Sequence, residues 1–367
     1  MTADADAVVL TRFGGAVELR RLPVPQPEPG GLIVDVTHGG ICGTDVHLQR
    51  GHLDIPVPLV LGHEGLGVVR SLGGGGVADM FGRPVRQGDA VMWASSIACG
   101  ACVPCRVHRE PTLCESRQTY GVNRPLSDGS GLRGSWASAI ELQPATAVVR
   151  LDPGIDPIAA MALACAGPTM VHALYERRPV RLGETVVVQG SGPVGLAAAA
   201  LAHLAGAERV IMVGGPASRL DVAARLGIGD DHLDIVGADR PADVLDQVRA
   251  RTPGGRGADL VIECAGVPAA VAQGLTLARR GGSYLIVGQY TDSGDTMLNP
   301  HLFVHRQLDV RGSWAFSGVH LGQYVRLLPA LSARFDLASL VTSFPLARAG
   351  EALRQVADGS VIKAVLS

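Results

Sequence analysis

The sequence predicts an α/β chain of two domains, one irregular and mostly β, the other a doubly wound parallel sheet, and three observations carry the prediction. First, 367 residues are enough for two domains at the usual ~100–200 residues each. Second, from Ala7 to about Arg150 short β runs alternate with Pro- and Gly-rich connectors. Third, after Asp156 apolar strand candidates alternate with helical stretches, the pattern of a parallel βαβ sheet.

In the first stretch LIVDVTHGGIC (32–42), GHEGLGVV (62–69), DAVMW (89–93) and WASAIELQ (136–143) read as strands. Ala-rich helical segments follow Asp156, and then come TVVVQG (185–190), RVIMVG (209–214), DLVIECAG (259–266) and SYLIVGQ (283–289), separated by helical segments. Beyond about Leu308 the chain returns to mixed elements: DVRGSW (309–314), the helical HLGQYVRLLPAL (320–331) and the closing strand SVIKAVLS (360–367). The expected domains are therefore 1–166 with 309–367, and 167–308.

Hydrophobic residues make up 47%, charged residues 18% and the formal net charge is −2, a balance that fits a globular protein and excludes a disordered chain or a basic nucleic-acid binder. The longest apolar stretch, 194–202, is far short of the ~20 residues of a membrane span. Met1 to Ala7 has neither a basic residue nor an apolar core, so the expected location is the cytoplasm. Of the 32 basic residues only Lys363 is a lysine, which excludes Schiff-base chemistry and a Walker A loop. The absence of G-x-S-x-G removes the hydrolase nucleophile elbow.

Gly190, Gly192 and Gly195 form G-x-G-x-x-G, with Pro193 and Val194 between the last two, in the order strand, turn, helix, strand. The first glycine permits the turn, the second lets backbone reach a pyrophosphate, the third lets helix and strand pack, and the helix N-terminus attracts the anion. A dinucleotide is expected there. The second strand of an NAD site usually ends in an acid for the ribose 2′-OH, but Gly214 stands at that point. Without that carboxylate a 2′-phosphate is not repelled, and Arg219 is near enough in sequence to meet it. NAD and NADP both stay open.

Cys99, Cys102, Cys105 and Cys114 supply four closely spaced thiols, the donor set of a closed tetrahedral structural Zn²⁺ site, with His108 inside the loop. Disulfides and an iron–sulfur cluster are the other readings, the first disfavoured in a reducing compartment and the second by spacing. Cys42, His63 and Cys165 are dispersed, but two Cys and one His leave a fourth position open, as a catalytic zinc requires.

Taken together these residues resemble the zinc-dependent medium-chain dehydrogenase/reductase family, of the alcohol and polyol dehydrogenase type, from about Leu32 to Lys363. The resemblance implies a GroES-like, mostly β catalytic domain and a Rossmann cofactor domain. It also implies one catalytic zinc on Cys42, His63 and Cys165, one structural zinc, and hydride transfer between an alcohol, whether primary, secondary or polyol, and NAD or NADP. Glu64 matches the acidic neighbour of the metal, Asp45 the carboxylate that orients the His ligand, and Thr44 and His47 the proton relay. Thr169 matches a residue beside the nicotinamide, and Lys363 a basic contact to the cofactor phosphates. A homodimer or homotetramer joined through the cofactor domains is implied, with neither a nucleic-acid nor a membrane partner. Leu53, Trp93, Ser95, Tyr120 and Trp314 fall near segments that line the substrate cleft in relatives. The rival readings are a zinc-free NADPH-dependent reductase of the same superfold and a non-enzymatic zinc-binding module.

Overall fold

The structure, a computed structural model, describes residues 4–367; Met1, Thr2 and Ala3, part of the N-terminal stretch read above for targeting signals, lie outside the described residues. The chain divides into a first unit of Met1–Cys165, Phe316–Leu328 and Leu337–Ser367 and a second of Ala166–Ala315 and Pro329–Asp336.

The first unit begins with β1 (Asp4–Leu10), β2 (Glu18–Pro23), β3 (Leu32–Ile41), α1 (Gly43–Arg50), β4 (Leu59–Val60), β5 (Gly65–Leu72) and β6 (Ala90–Trp93). It continues with β7 (Ser96–Ile97), β8 (Gln118–Thr119), β9 (Ala139–Leu142), β10 (Val148–Arg150) and α2 (Pro157–Ala162). The second unit runs α3 (Ala166–Val171), β11 (Thr185–Gln189), α4 (Pro193–Leu204), β12 (Arg209–Gly214), α5 (Ala217–Arg225), β13 (Asp231–Asp234), α6 (Pro241–Ala250) and β14 (Ala258–Glu263). It is completed by α7 (Pro268–Leu277), β15 (Ala278–Ile286), α8 (His301–Arg306) and β16 (Asp309–Gly312). The chain closes with α9 (Gly318–Arg334), β17 (Val341–Phe344), α10 (Ala349–Asp358) and β18 (Lys363–Leu366).

In the first unit the main sheet has the order β10-β6-β5-β3-β18-β17, with β9 also on β3. Strand β3 is buried at both ends, Leu32–Val34 and Gly39–Ile41, because it pairs with β5 and β9 at one end and β18 at the other. Ile41, Leu48, Leu61, Trp136, Phe344, Leu353 and Leu366 share one apolar cluster. Cys42 leaves β3 directly after Ile41, and His63 follows Leu61 by two residues, so the core that fixes those two aliphatic side chains also fixes the two donors.

The second unit is a six-stranded, wholly parallel sheet in the order β13-β12-β11-β14-β15-β16. Renumbered from β11 this is 3-2-1-4-5-6, the doubly wound order in which ligands bind at the carboxyl ends of the two central strands. Both faces of such a sheet are covered, which is why β11, TVVVQ, is buried throughout. The Ala-rich α4 is buried from Gly195 to His203, its small side chains allowing a close approach to the strands. Strands β13 (DHLD) and β16 (DVRG) go beyond the four strands expected from sequence. Because β16 pairs with β15, residues 309–312 lie in the second unit, where the boundary at 308 read from sequence put them in the first.

Candidate metal centres and dinucleotide site

Helix α1 starts at Cys42, its N-cap, and Asp45 fastens that start: one carboxylate oxygen accepts the Cys42 N–H at 2.9 Å. The other, Oδ1, lies 3.3 Å from Nδ1 of His63, an ion-pair approach without the geometry of a hydrogen bond. One fully buried carboxylate thus ties two donors from separate segments. The Cys42 and Cys165 thiols, the His63 imidazole and a Glu64 carboxylate oxygen all lie within 4.8 Å of one another. Both ring nitrogens of His63 are buried without a hydrogen-bond partner. A buried imidazole with no partner is costly, and converging sulfur and nitrogen donors of this kind suit Zn²⁺.

The electrostatics agree. The Cys42 thiol is held well below its usual pKa by the hydrogen bond from Cys165, with His63 and Lys363 adding to it, while Cys165 is pushed well above by Cys42 and by burial. Burial opposes charge on His63, but the Asp45 carboxylate, with the two neighbouring thiols adding to it, raises it well above the usual imidazole value. Metal binding at such a group of thiols and imidazole releases the protons that its donors hold.

Glu64 and Lys363 are 4% and 3% exposed and pair directly, with the Lys363 ammonium also donating to the Ile41 carbonyl at 3.4 Å. Burial raises the Glu64 pKa in spite of the ammonium; burial pulls that of Lys363 down, but the Glu64 carboxylate overrides it and the net shift is upward. Lys363, for which the resemblance implies a contact to cofactor phosphates, has its charge on Glu64 instead, because a buried carboxylate needs a counter-ion. Thr44 Oγ1 lies 3.8 Å from the Cys42 sulfur, and His47 is one turn further along α1. His47 Nδ1 is 2.9 Å from Nδ1 of His52, a residue that sequence reasoning missed; the Gly-His that follows the helix is the signal that could have found it.

Cys99, Cys102, Cys105 and Cys114 also lie within 4.8 Å of one another, and none is in a disulfide. Backbone N–H groups aim at the sulfurs: Cys99 donates to Cys114, and Ala101 and Cys102 donate to Cys99 at 3.4 and 3.3 Å. Those last two bonds lower the Cys99 thiol to about 6, while burial pushes Cys105 up to about 12. Four unpaired thiols gathered by amides fit a closed tetrahedral Zn²⁺ site. His108, the alternative donor, is outside the group.

In the second unit, Gly190 takes the left-handed φ of 112°, and a Cβ there would stand 2.8 Å from the Cys264 carbonyl carbon. A Cβ on Gly195 would lie 2.0 Å from the Gly190 oxygen, so helix and turn touch through bare backbone. Gly192, the N-cap of α4, faces open space and has no side-chain cap, leaving the amides before and within the first turn, past Pro193 and Val194, free to cradle an anion. Gly214 ends β12, and Arg219, in the first turn of α5, has a buried Nε without a partner. Thr169 lies in α3. Sequence reasoning also missed Glu263, which is fully buried at the end of β14. It accepts N–H bonds from Ala265, Gly266 and Gly288 at 2.7, 2.7 and 3.1 Å, shaping the turns beside Gly190. Burial pushes the Cys264 thiol well up, in keeping with a packed side chain.

Of the pocket residues expected from sequence, Trp93 and Tyr120 share one apolar cluster and the Tyr120 N–H donates to the Ser95 carbonyl at 2.9 Å. Tyr120 is core: its hydroxyl bonds Thr146 at 2.6 Å and accepts the Gln143 N–H at 2.8 Å. Trp93 is buried with Nε1 unpartnered, Ser95 is buried, Leu53 packs at the edge of the Leu48 and Leu61 cluster, and Trp314 is 40% exposed and stacks on Tyr290 at 4.9 Å.

Residues 28–153 match the family described as alcohol dehydrogenase GroES-like domain, and residues 193–332 the one described as zinc-binding dehydrogenase. The chain is 36% identical over 352 residues to 5-exo-hydroxycamphor dehydrogenase of Pseudomonas putida, covering 95% of each. It is 31% identical over 357 residues to L-threonine 3-dehydrogenase of Bacillus subtilis, covering 92% of this chain and 93% of that one. An alcohol dehydrogenase structure from Thermotoga maritima superposes with a TM-score of 0.92 at 32% identity, over 99% of both chains. A zinc-binding dehydrogenase from Sinorhizobium meliloti solved with NADP gives 0.85 at 26% identity, again over 99% of both.

Proposed function

The chain belongs to the zinc-binding dehydrogenases of the medium-chain dehydrogenase/reductase family, and from that premise we propose that it interconverts a secondary alcohol and a ketone by hydride exchange with NAD(P). One zinc is assigned to Cys42, His63 and Cys165 and another to Cys99, Cys102, Cys105 and Cys114. The observation that carries the reading is the convergence of two thiols on a buried imidazole with neither ring nitrogen satisfied. A zinc ion held there supplies the Lewis acidity that stabilises negative charge on the reacting oxygen. Asp45 keeps the His63 ring oriented toward the other donors. Lys363 neutralises Glu64, so the carboxylate adds little net charge beside the reacting oxygen. In this reading Thr44, whose Oγ1 is 3.8 Å from the Cys42 sulfur, takes the alcohol proton, and His47 receives it further along the same helix.

The substrate class rests on the relatives: the hydroxyl of a 5-exo-hydroxycamphor and that at carbon 3 of threonine are both secondary. Gly214 removes the carboxylate that rejects a 2′-phosphate, and the unpartnered Arg219 Nε supplies a donor near that point, which supports NADP as the better cofactor. The test is one purification with two readouts. Metal analysis is expected to give two zinc per chain, and secondary alcohols should reduce NADP more efficiently than NAD, read as kcat/KM. Cys42→Ser should retain one zinc and the wild-type dinucleotide affinity while losing turnover by a factor of at least about 10³, the scale of a lost electrophile. Undiminished turnover in Cys42→Ser would sink the assignment.

A further inference from the structure

Helix α1 ends in the sequence His47-Leu48-Gln49-Arg50-Gly51-His52. Gly51 adopts the left-handed conformation, φ 76° and ψ 25°. Its N–H donates to the Leu48 carbonyl and the His52 N–H to the His47 carbonyl, both at 3.0 Å. This pair of bonds is the Schellman closure, which folds the residue after the glycine back over the residue five positions earlier. An apolar contact usually fills that place. Here it holds two imidazoles, with Nδ1 to Nδ1 at 2.9 Å and ring centroids 5.2 Å apart. Only one of two nitrogens at that distance can carry the hydrogen between them, so the rings share a proton. His47 is half-buried and His52 is exposed, and the pair therefore runs from the site side of α1 to solvent.

The charged surroundings are few. Arg50 and Cys42 act on His47 from its own helix, in opposite directions. On α10, packed against α1, Glu351 and Arg354 share a cavity with Val46, Gln49 and Arg50. Asp54 follows His52 by two residues, and Phe13 covers Gly51.

We propose that His52 is the outlet for the proton that alcohol oxidation releases, acting through His47. The inference rests on the dehydrogenase reading above. Oxidation of a secondary alcohol to a ketone sends a hydride, with both electrons, to the nicotinamide and leaves one proton to be removed. His47 takes that proton on Nε2 and passes its Nδ1 hydrogen to Nδ1 of His52, which gives up its own Nε2 hydrogen to water; exchange with water resets the tautomers. Ketone reduction runs the same path inward. His52 touches neither substrate nor cofactor in this scheme and is a positioning residue for His47.

The test compares the wild-type protein with His52→Leu and His52→Gln. Leucine restores the apolar contact usual at this place in a Schellman end, so the helix closure survives. In the wild type, NMR titration of the imidazoles should show the two rings to be coupled, and in His52→Leu His47 should lose that coupling. Below neutral pH, kcat for alcohol oxidation should fall about tenfold in both variants, a fraction of what a general base contributes. KM and dinucleotide affinity should hold, and added imidazole should restore the rate. Unchanged pH profiles in both variants, with the wild type turning over alcohol, overturn the role of His52 and leave the dehydrogenase reading standing. Independent wild-type titration of the two rings overturns the shared proton. Coupled titration in a wild type that oxidises no alcohol overturns the dehydrogenase reading and, with it, this role.

Discussion

Lys363 and Glu64 form an ion pair in which neither residue is more than 4% exposed. Removing one partner of such a pair leaves an uncompensated buried charge, a loss of about 3–5 kcal/mol, while removing both is far milder. Lys363→Met should therefore lower unfolding free energy by that amount, and the double variant with Glu64→Gln should recover most of it in urea denaturation. Equal losses in the single and double variants would mean that the aliphatic packing of Lys363, not its charge, matters. The same scale explains why single donors are unremarkable in the sequence. Cys42, His63 and Cys165 are 21 and 102 positions apart in succession, and the burial of Ile41 and Leu61, with Asp45 between the two donors, brings the first two of them into register.

At the scale of elements, the turn that precedes β6 is organised by Asp79. Its Oδ1 accepts N–H bonds from Phe81 and Arg83 at 2.9 and 3.0 Å, and its Oδ2 binds the Arg83 guanidinium at 2.7 Å and the Arg150 N–H of β10 at 3.3 Å. Burial opposes the charge, but these donors outweigh it and hold the carboxyl below the usual Asp value. A group depressed in the folded state contributes stability that is present above its unfolded pKa, near 3.9, and is lost as pH falls through the lower folded value. Asp79→Asn should cost about 1–3 kcal/mol at neutral pH, from donors left poorly satisfied. Its stability should also fall less than that of the wild type between pH 5 and the acid limit, as followed by thermal melting across pH. Parallel acid curves would remove Asp79 from the account.

For the whole molecule, no described helix is long and apolar enough to cross a membrane. Among the described residues β16 pairs only with β15, so its outer edge is open, and the strand exposes Val310 at 37% while α8 exposes Val304 at 83%. An open edge flanked by aliphatic side chains invites another strand. The homodimer or homotetramer implied by the resemblance is tested at this edge: light scattering after gel filtration should give two or four times the 38.0 kDa chain mass, and Val310→Lys with Val304→Asp should lower it. A monomeric wild type would refute the edge-pairing.

The sequence by itself determined the βαβ texture, the G-x-G-x-x-G turn and the four-thiol lobe, because each depends on neighbours within a few residues: hydrophobic period, glycine conformation, ligand spacing. Strands β13 and β16 escaped it, since an edge strand needs little apolar content and DHLD and DVRG carry charges where central strands carry valine. The side-chain partnerships were decided only by the tertiary structure. Lys363 meets Glu64 across 299 positions because β18 lies antiparallel to β3, whose end leads into Cys42. His52 meets His47 although only five positions separate them, because a left-handed glycine turns the chain back. A one-dimensional string shows which residues can carry charge or bind metal; which of them face one another follows from sheet register and helix closure, set by burial of the side chains between them.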